Sequence, residues 1–234
     1  MTTTSTTTTT PPRFISEVNK SWRVLIPPAV EPITLEDAYM HLRLTTSGSP
    51  PSHPEDRWLT MFGIPSARLH CENWLERSLA LQTIELSLSR FPGSDPNDLT
   101  NYIELPMGPV AGLDTFSYVA DSGGELVSPP LDGFGISGTD PAVLYADTWP
   151  TVKAGVPGAV RVRYVAGYSP ANSSPLLTPE LPAVIKIAML LMLGHLYEYR
   201  EATTAGDIGS TLPHELPLGV AALLEPYRYR KSFN

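Results

Sequence analysis

The chain has a single cysteine, Cys71. One thiol cannot close an internal disulfide and offers no CxxC pair to zinc; this usage fits a reducing compartment. Basic residues are also scarce, with 16 Lys and Arg against 24 Asp and Glu, a formal net charge of −8 and a pI near 5.1. That balance argues against a protein that coats nucleic acid, because phosphate binding is driven by clustered Lys and Arg. Long apolar runs are missing too. The longest, Ile187 to Gly194, falls well short of the roughly 20 residues needed to span a bilayer, so no membrane role is expected. "MTTTSTTTTTPPR" has neither the basic nor the apolar region of a secretory signal. Catalytic signatures are equally sparse: HExxH, GxSxG, a P-loop and an acidic metal cluster are all missing, and the five histidines are scattered.

What is present is apolar material and punctuation. With 234 residues, 42% of them apolar, the chain can bury one sizeable core or a core with an elaborated insert. Its 25 prolines and 17 glycines demand many turns and short strands.

The Thr/Pro-rich arm and lead-in cover residues 1–30, with nothing to bury in the threonine run. A first helical part spans 31–81. In "PPAVEPITLEDAYMHLRL", Thr34 is an N-cap with Asp37 at the capping-box distance. A longer helical stretch from about Pro54 to Ala80 carries Leu59, Phe62, Ala67, Cys71, Trp74 and Leu75 near helical spacing. Gly63-Ile64-Pro65 predicts a kink or break within it. From Gln82 the apolar period becomes two, and a β insert spans 82–170. Strands are expected at 82–89, 102–106, 112–119, around 125–127, at 142–146 and at 159–168. In the last of these Val160, Val162 and Tyr164 face one way and Arg161 and Arg163 the other. Arginines in this arrangement meet phosphate or simply solvate a sheet face. A second helical part covers 171–227, with Thr178 expected to cap a helix that has Pro179 at its first position and runs to about Ala202. A basic tail, 228–234, closes the chain with Arg228, Arg230 and Lys231. The fold class is therefore α+β: a bundle of about four helices interrupted by an antiparallel β region.

Two motifs invite chemistry and fail to sustain it. In "GHLYEYREA", His195 and Glu198 are close enough on a helix to touch, but Glu201 points about 120° from the histidine. Zinc needs three or four ligands, so no metal site is expected there. "GFGISG" (133–138) matches GxGxxG in letters, yet a strand-forming "AVLYA" follows where a dinucleotide site requires a helix. It reads as a glycine-rich loop, and no cofactor is expected. The helix carrying His195 has another peculiarity, for it is apolar on two sides. Ile185, Ala188, Met192, Leu196 and Tyr199 form one stripe, and Ile187, Leu190, Gly194 and Tyr197 a second. A helix apolar all round must be covered on both sides. Either the β insert or another subunit covers the second stripe, which makes those four residues the candidate subunit interface.

"PPAVEPITLEDAYMHLRL", "PGAVRVRYVAGY", "GHLYEYREA" and "LPLGVAALLEPYR" occur in the order seen in the head–tail connector (adaptor) proteins of tailed bacteriophages. The chain resembles the subgroup with a β insert in the helical bundle, in patches from about residue 25 to 230. The resemblance implies a non-enzymatic structural protein forming a ring, commonly of twelve copies, beneath the portal. Such a ring extends the DNA channel without sequence-specific binding and offers a platform to neck and tail proteins. It implies a place in the virion neck, after assembly in the host cytoplasm. Arg228, Arg230 and Lys231 become a candidate portal-contacting tail. A head-closure or tail-terminator protein is the alternative within the same class. Gly63-Ile64-Pro65 departs from the uninterrupted second helix usual in this group.

Overall fold

The computed structural model describes residues 20–93, 101–169, 178–200 and 218–229. The threonine run, Glu201, Arg230 and Lys231 lie outside the described residues.

Helix α1, Leu35–Leu42, begins where the capping box predicts. The Asp37 amide donates to Thr34 Oγ1 at 3.1 Å, and the Thr34 amide donates back to the Asp37 carboxylate at 2.8 Å. Arg43 ends the helix in the left-handed region (φ 55°). The second helical stretch has three segments: α2 (Asp56–Trp58), a π-helical turn (Leu59–Gly63) and α3 (Ile64–Leu75). The chain does not break at Gly63-Ile64-Pro65. Right-handed dihedrals continue through Ile64, whose amide bonds to the Leu59 carbonyl five residues back. The wider turn accommodates a proline ring that would otherwise meet a carbonyl of the preceding turn. Phe62, read at helical spacing with Leu59 and Cys71, is exposed while those two are buried.

Helix α4, Ala183–Glu198, starts later and ends earlier than expected. Pro182 is the reason for the late start. It holds extended backbone (ψ 134°) at the N-cap and biases Leu181 away from helix, so the Thr178-Pro179 start does not form. Helix α5, Leu218–Leu224, runs into a 3₁₀ turn, Glu225–Tyr227.

The segment between α3 and α4, joined by one strand that precedes α1, builds two antiparallel sheets. The larger has the order β1-β2-β8-β4-β5: β1 (Lys20–Ile26), β2 (Gln82–Leu88), β8 (Val160–Ala166), β4 (Val110–Val119) and β5 (Leu126–Val127). The smaller has the order β3-β7-β6: β3 (Tyr102–Leu105), β7 (Ala142–Ala146) and β6 (Phe134–Ser137). Strand β1 comes from the predicted lead-in and forms the edge of the larger sheet against β2. "GFGISG" is a strand, β6, rather than a loop. Gly135 lies opposite Tyr145, whose ring occupies the space a Cβ would take. The glycine is there to admit the aromatic ring.

Two apolar cores result. The helical one gathers Tyr39, Leu59, Ile64, Cys71, Leu75, Ile185, Met189, Leu193 and Leu224, among others. The β core packs Ile84, Leu86, Val162, Tyr164 and Phe116 against Ile103, Leu105 and Leu144. Phe91 stacks on Trp149 at 5.0 Å, and Phe134 lies 4.2 Å from Phe116.

A buried polar cluster joins the cores. Glu72, only 1% exposed, accepts from Arg68 at 2.6 Å and from the Leu79 amide at 2.8 Å, while Gln82 donates to Ser78 Oγ at 2.9 Å. Arg68 also donates to Glu31 at 2.8 Å, tying the segment before α1 to α3. Burial raises the Glu72 carboxyl above its usual range, although the Arg68 charge and the Leu79 amide oppose it. Burial works against the Arg68 charge, but Glu72 and Glu31 outweigh it and hold the guanidinium pKa up.

Gly63 supplies a first test of this packing. A Cβ there would fall 2.6 Å from Trp58 Cζ3 and 2.9 Å from Leu193 Cδ1. Gly63→Ala should lower stability by about 1–3 kcal/mol through overpacking, measured by urea denaturation. No loss would show that Trp58 and Leu193 yield freely.

Candidate assembly surfaces

Helix α4 is apolar around most of its circumference, and the structure shows which parts the chain itself covers. Ile185, Ala188 and Met192 of the first stripe are buried in the helical core, whereas Tyr199 is exposed. Of the second stripe, Leu190 and Tyr197 pack partly against the same core, and Gly194 sits beneath α1, where a Cβ would be 3.4 Å from His41 Nε2. Tyr197 meets Trp58 edge to face at 5.7 Å. Arg200 is held over both rings, at 4.4 and 4.5 Å, and pairs with Glu55 at 2.9 Å. These contacts come from α1 and the α2 region, not from the β insert.

Ile187 is 50% exposed, and it belongs to a different row of the helix. Ala183, Ile187, Leu191 and His195 follow one another at i, i+4 spacing and are all exposed, Leu191 at 39%. The bare apolar strip is therefore Ile187–Leu191, displaced to one side of the stripe read from sequence. A second strip lies on the α2–α3 helix, where Met61, Phe62 and Leu69 are exposed, Phe62 at 58% and Leu69 at 53%. On the β side, Trp22, Val24 and Ile26 of edge strand β1 are also exposed.

His195 is exposed and lies against Tyr199, 5.0 Å between ring centroids, and Glu198 is exposed. Among the described residues no group of three or more His, Cys, Asp or Glu converges. No helix among them is long and apolar enough to cross a membrane. Cys71 is buried, and burial pushes its thiol pKa up to about 12, away from the reactive thiolate. Tyr39 donates to Asp56; burial, reinforced by that carboxylate, raises its phenol to about 12. Arg228 stacks on Trp74 at 5.0 Å and lies 3.8 Å from Glu76, so its chain-side contacts are already made.

The outer face of the larger sheet is built from strands that meet only in the fold. Arg161 and Arg163 do point away from the core, opposite Val160, Val162 and Tyr164. Sequence did not show that Arg23 of β1 and Arg163 of β8 sit in register on either side of Glu85. Arg23 bonds one Glu85 carboxylate oxygen at 2.8 Å and Arg163 the other at 2.8 Å. Burial alone would raise the Glu85 carboxyl; the bonds from Arg163 and Arg23 outweigh it and hold it below the usual carboxylate range. A carboxyl with a depressed folded pKa contributes stability above its unfolded value, about 4.3, and loses it as pH falls through the lower folded value. Glu85→Gln should therefore cost stability near neutral pH, with the gap to the parent chain closing in acid. Urea midpoints at about pH 6.5 and pH 3 check this; an equal gap at both pH values would contradict it.

No family model matches the chain, and no curated protein matches it. Solved structures do. The chain is similar to one in the neck of an empty gene transfer agent particle computed with C6 symmetry, with a TM-score of 0.68 and 20% identity, covering 91% of this chain and 97% of that one. It is similar to a chain in the virion of a native gene transfer agent particle, with a TM-score of 0.65 and 20% identity, again over 91% and 97%. A third, from the neck of a native particle computed with C12 symmetry, gives a TM-score of 0.52 and 21% identity over 73% of this chain and 82% of that one. At this level of identity the likeness establishes a shared fold, one that runs through nearly the whole chain.

Proposed function

We propose that this protein is a structural subunit of the neck of a phage-type particle: a head–tail connector (adaptor) that forms a ring beneath the portal. In this reading it extends the DNA channel, carries neck and tail proteins on its far side, and performs no catalysis. The observation that carries the reading is the fold, shared over 91% of the chain with a neck structure that has cyclic symmetry. The surface supports it. Two apolar strips on different helices, Ile187–Leu191 and Met61–Phe62–Leu69, are unlike one another and exposed on the same molecule. Unlike surfaces that pair head to tail generate rings when the rotation closes. The ring has twelve copies in the particle, the number implied by the connector resemblance and compatible with the C12 symmetry of one neighbour. The basic tail from Arg228 onward is the portal-contacting arm, its Arg228 anchored on Trp74 at the root.

Cryo-electron microscopy of purified particles tests the assignment. The expected result is a ring of this fold between portal and tail. Density for it directly at the tail tube would instead favour the tail-terminator role, and none at the neck would overturn the reading.

A further inference from the structure

The outward face of the larger sheet carries two polar rows that cross four strands. In one, Ser21, Ser87, Arg161 and Ser117 are successive cross-strand partners; in the other, Arg23, Glu85, Arg163 and Thr115. Glu85 is spent holding Arg23 and Arg163, which leaves Arg161 exposed and without a carboxylate partner among the described residues. Asp114, in the β4 bulge beside Thr115, marks the acidic border of the face. Ser21, Trp22, Arg23, Glu85, Ser87, Gly158 and Arg161 line an open depression of about 320 Å³ there. Within the two rows three guanidiniums face one carboxylate, on a chain whose net charge is −8.

We propose that this sheet face is a docking site for the phosphodiester backbone of duplex nucleic acid. Arginine guanidiniums and serine hydroxyls are donors that phosphates take, and they position a duplex without reading its sequence. Here they are Arg23, Arg161, Arg163, Ser21 and Ser87, for Ser117 is buried and the Thr115 hydroxyl donates to Asp114. Arg161 and Arg163 stand two residues apart on one strand, about 6.7 Å, comparable with the step between successive phosphates. The depression is open, which suits a continuous polyanion better than an enclosed small anion. The acidic net charge does not oppose contact at this range, because screening limits it to about 10 Å at ordinary salt, while the local rows set the field at the surface. Binding should be weak, salt-sensitive and sequence-independent. The site deepens the neck reading by naming the face turned toward packaged DNA. Its test uses the free chain, so failure of ring formation and failure of DNA contact are read separately.

The experiment is amide NMR of the full chain titrated with a duplex oligonucleotide at about 0.1 M salt, with parallel titrations of inorganic phosphate and polyglutamate. The duplex should shift the amides of Ser87, Arg161 and Arg163. Arg161→Glu should weaken binding at least tenfold and Arg161→Ser by less, whereas Arg57→Glu, on the exposed side of α2, should leave it unchanged. Shifts confined to other surfaces, or indifference to both Arg161 variants, would overturn the proposal. So would polyglutamate moving these amides more strongly than the duplex, which would assign the face to an acidic protein. Inorganic phosphate binding as tightly as the duplex would reduce the face to an isolated oxyanion pocket and overturn it equally.

Discussion

Replacing Glu72 by alanine should destabilise the folded chain by about 3–5 kcal/mol, the loss expected when one partner of a buried ion pair is removed. Three groups lose their acceptor together: the Arg68 guanidinium at 2.6 Å, the Leu79 amide at 2.8 Å and, more distantly, the Gln82 amide at 3.5 Å. Arg68 is left as a charge in a site that is only 8% exposed. Glu31 still faces it, but Glu31 is partly solvated and gives a weaker counter-charge. Glu72→Gln should cost less, since a neutral carbonyl can still accept from the Leu79 amide. The double variant Arg68→Met/Glu72→Leu should recover part of the loss, because an apolar pair removes the stranded charge; the Leu79 amide keeps it from recovering all. Chemical denaturation of the three variants checks the scheme. A loss under about 1 kcal/mol for Glu72→Ala would mean that the site is solvated like a surface pair.

Leu191→Arg, alone or with Ile187→Arg, should abolish ring formation while leaving the free subunit folded. Both side chains stand on the bare row of α4, so arginine can reach water in the isolated molecule. In a closed assembly the same arginine would be buried against an apolar neighbour with no carboxylate prepared for it. Phe62→Arg on the opposing strip should act alike, and the pair of variants mixed should not restore assembly, since both would carry the same charge. Circular dichroism and urea midpoints should match the parent chain, while electron micrographs should show no rings. Gly194→Arg is a poorer probe than its place in the sequence implies, because the new side chain would run into His41 and Leu42 of its own chain. Intact rings from Leu191→Arg would remove α4 from the interface.

What could be read from sequence was mostly local. The Thr34–Asp37 capping box, the alternation in 82–88 and the bounds of β7 at Ala142–Ala146 are signals carried by adjacent residues. Strand β1 was hidden because "KSWRVLI" follows a low-complexity arm and lacks turn residues to announce it; its partner β2 is some sixty positions on, Trp22 opposite Leu86. Strand β6 was hidden because glycine weakens a strand pattern, and only Tyr145 across the ladder explains Gly135. The Arg68–Glu72 pair looks like an ordinary i, i+4 surface pair. A signal was nevertheless present, since both residues sit directly beside Ala67, Cys71 and Leu75 on the core face of α3. The greasiness of α4 was plain, but which strip stays bare depends on where α1 and Trp58 come to rest, and that is tertiary information.

The most direct test of the account is the mass of what forms when the purified chain is mixed with its portal complex. Mass photometry should record a discrete gain equal to a closed ring of copies, lost with Leu191→Arg and retained with Lys153→Glu, an exposed position on the β insert away from both apolar strips. A portal complex whose mass stays unchanged at saturating chain, or a gain indifferent to Leu191→Arg, would contradict it.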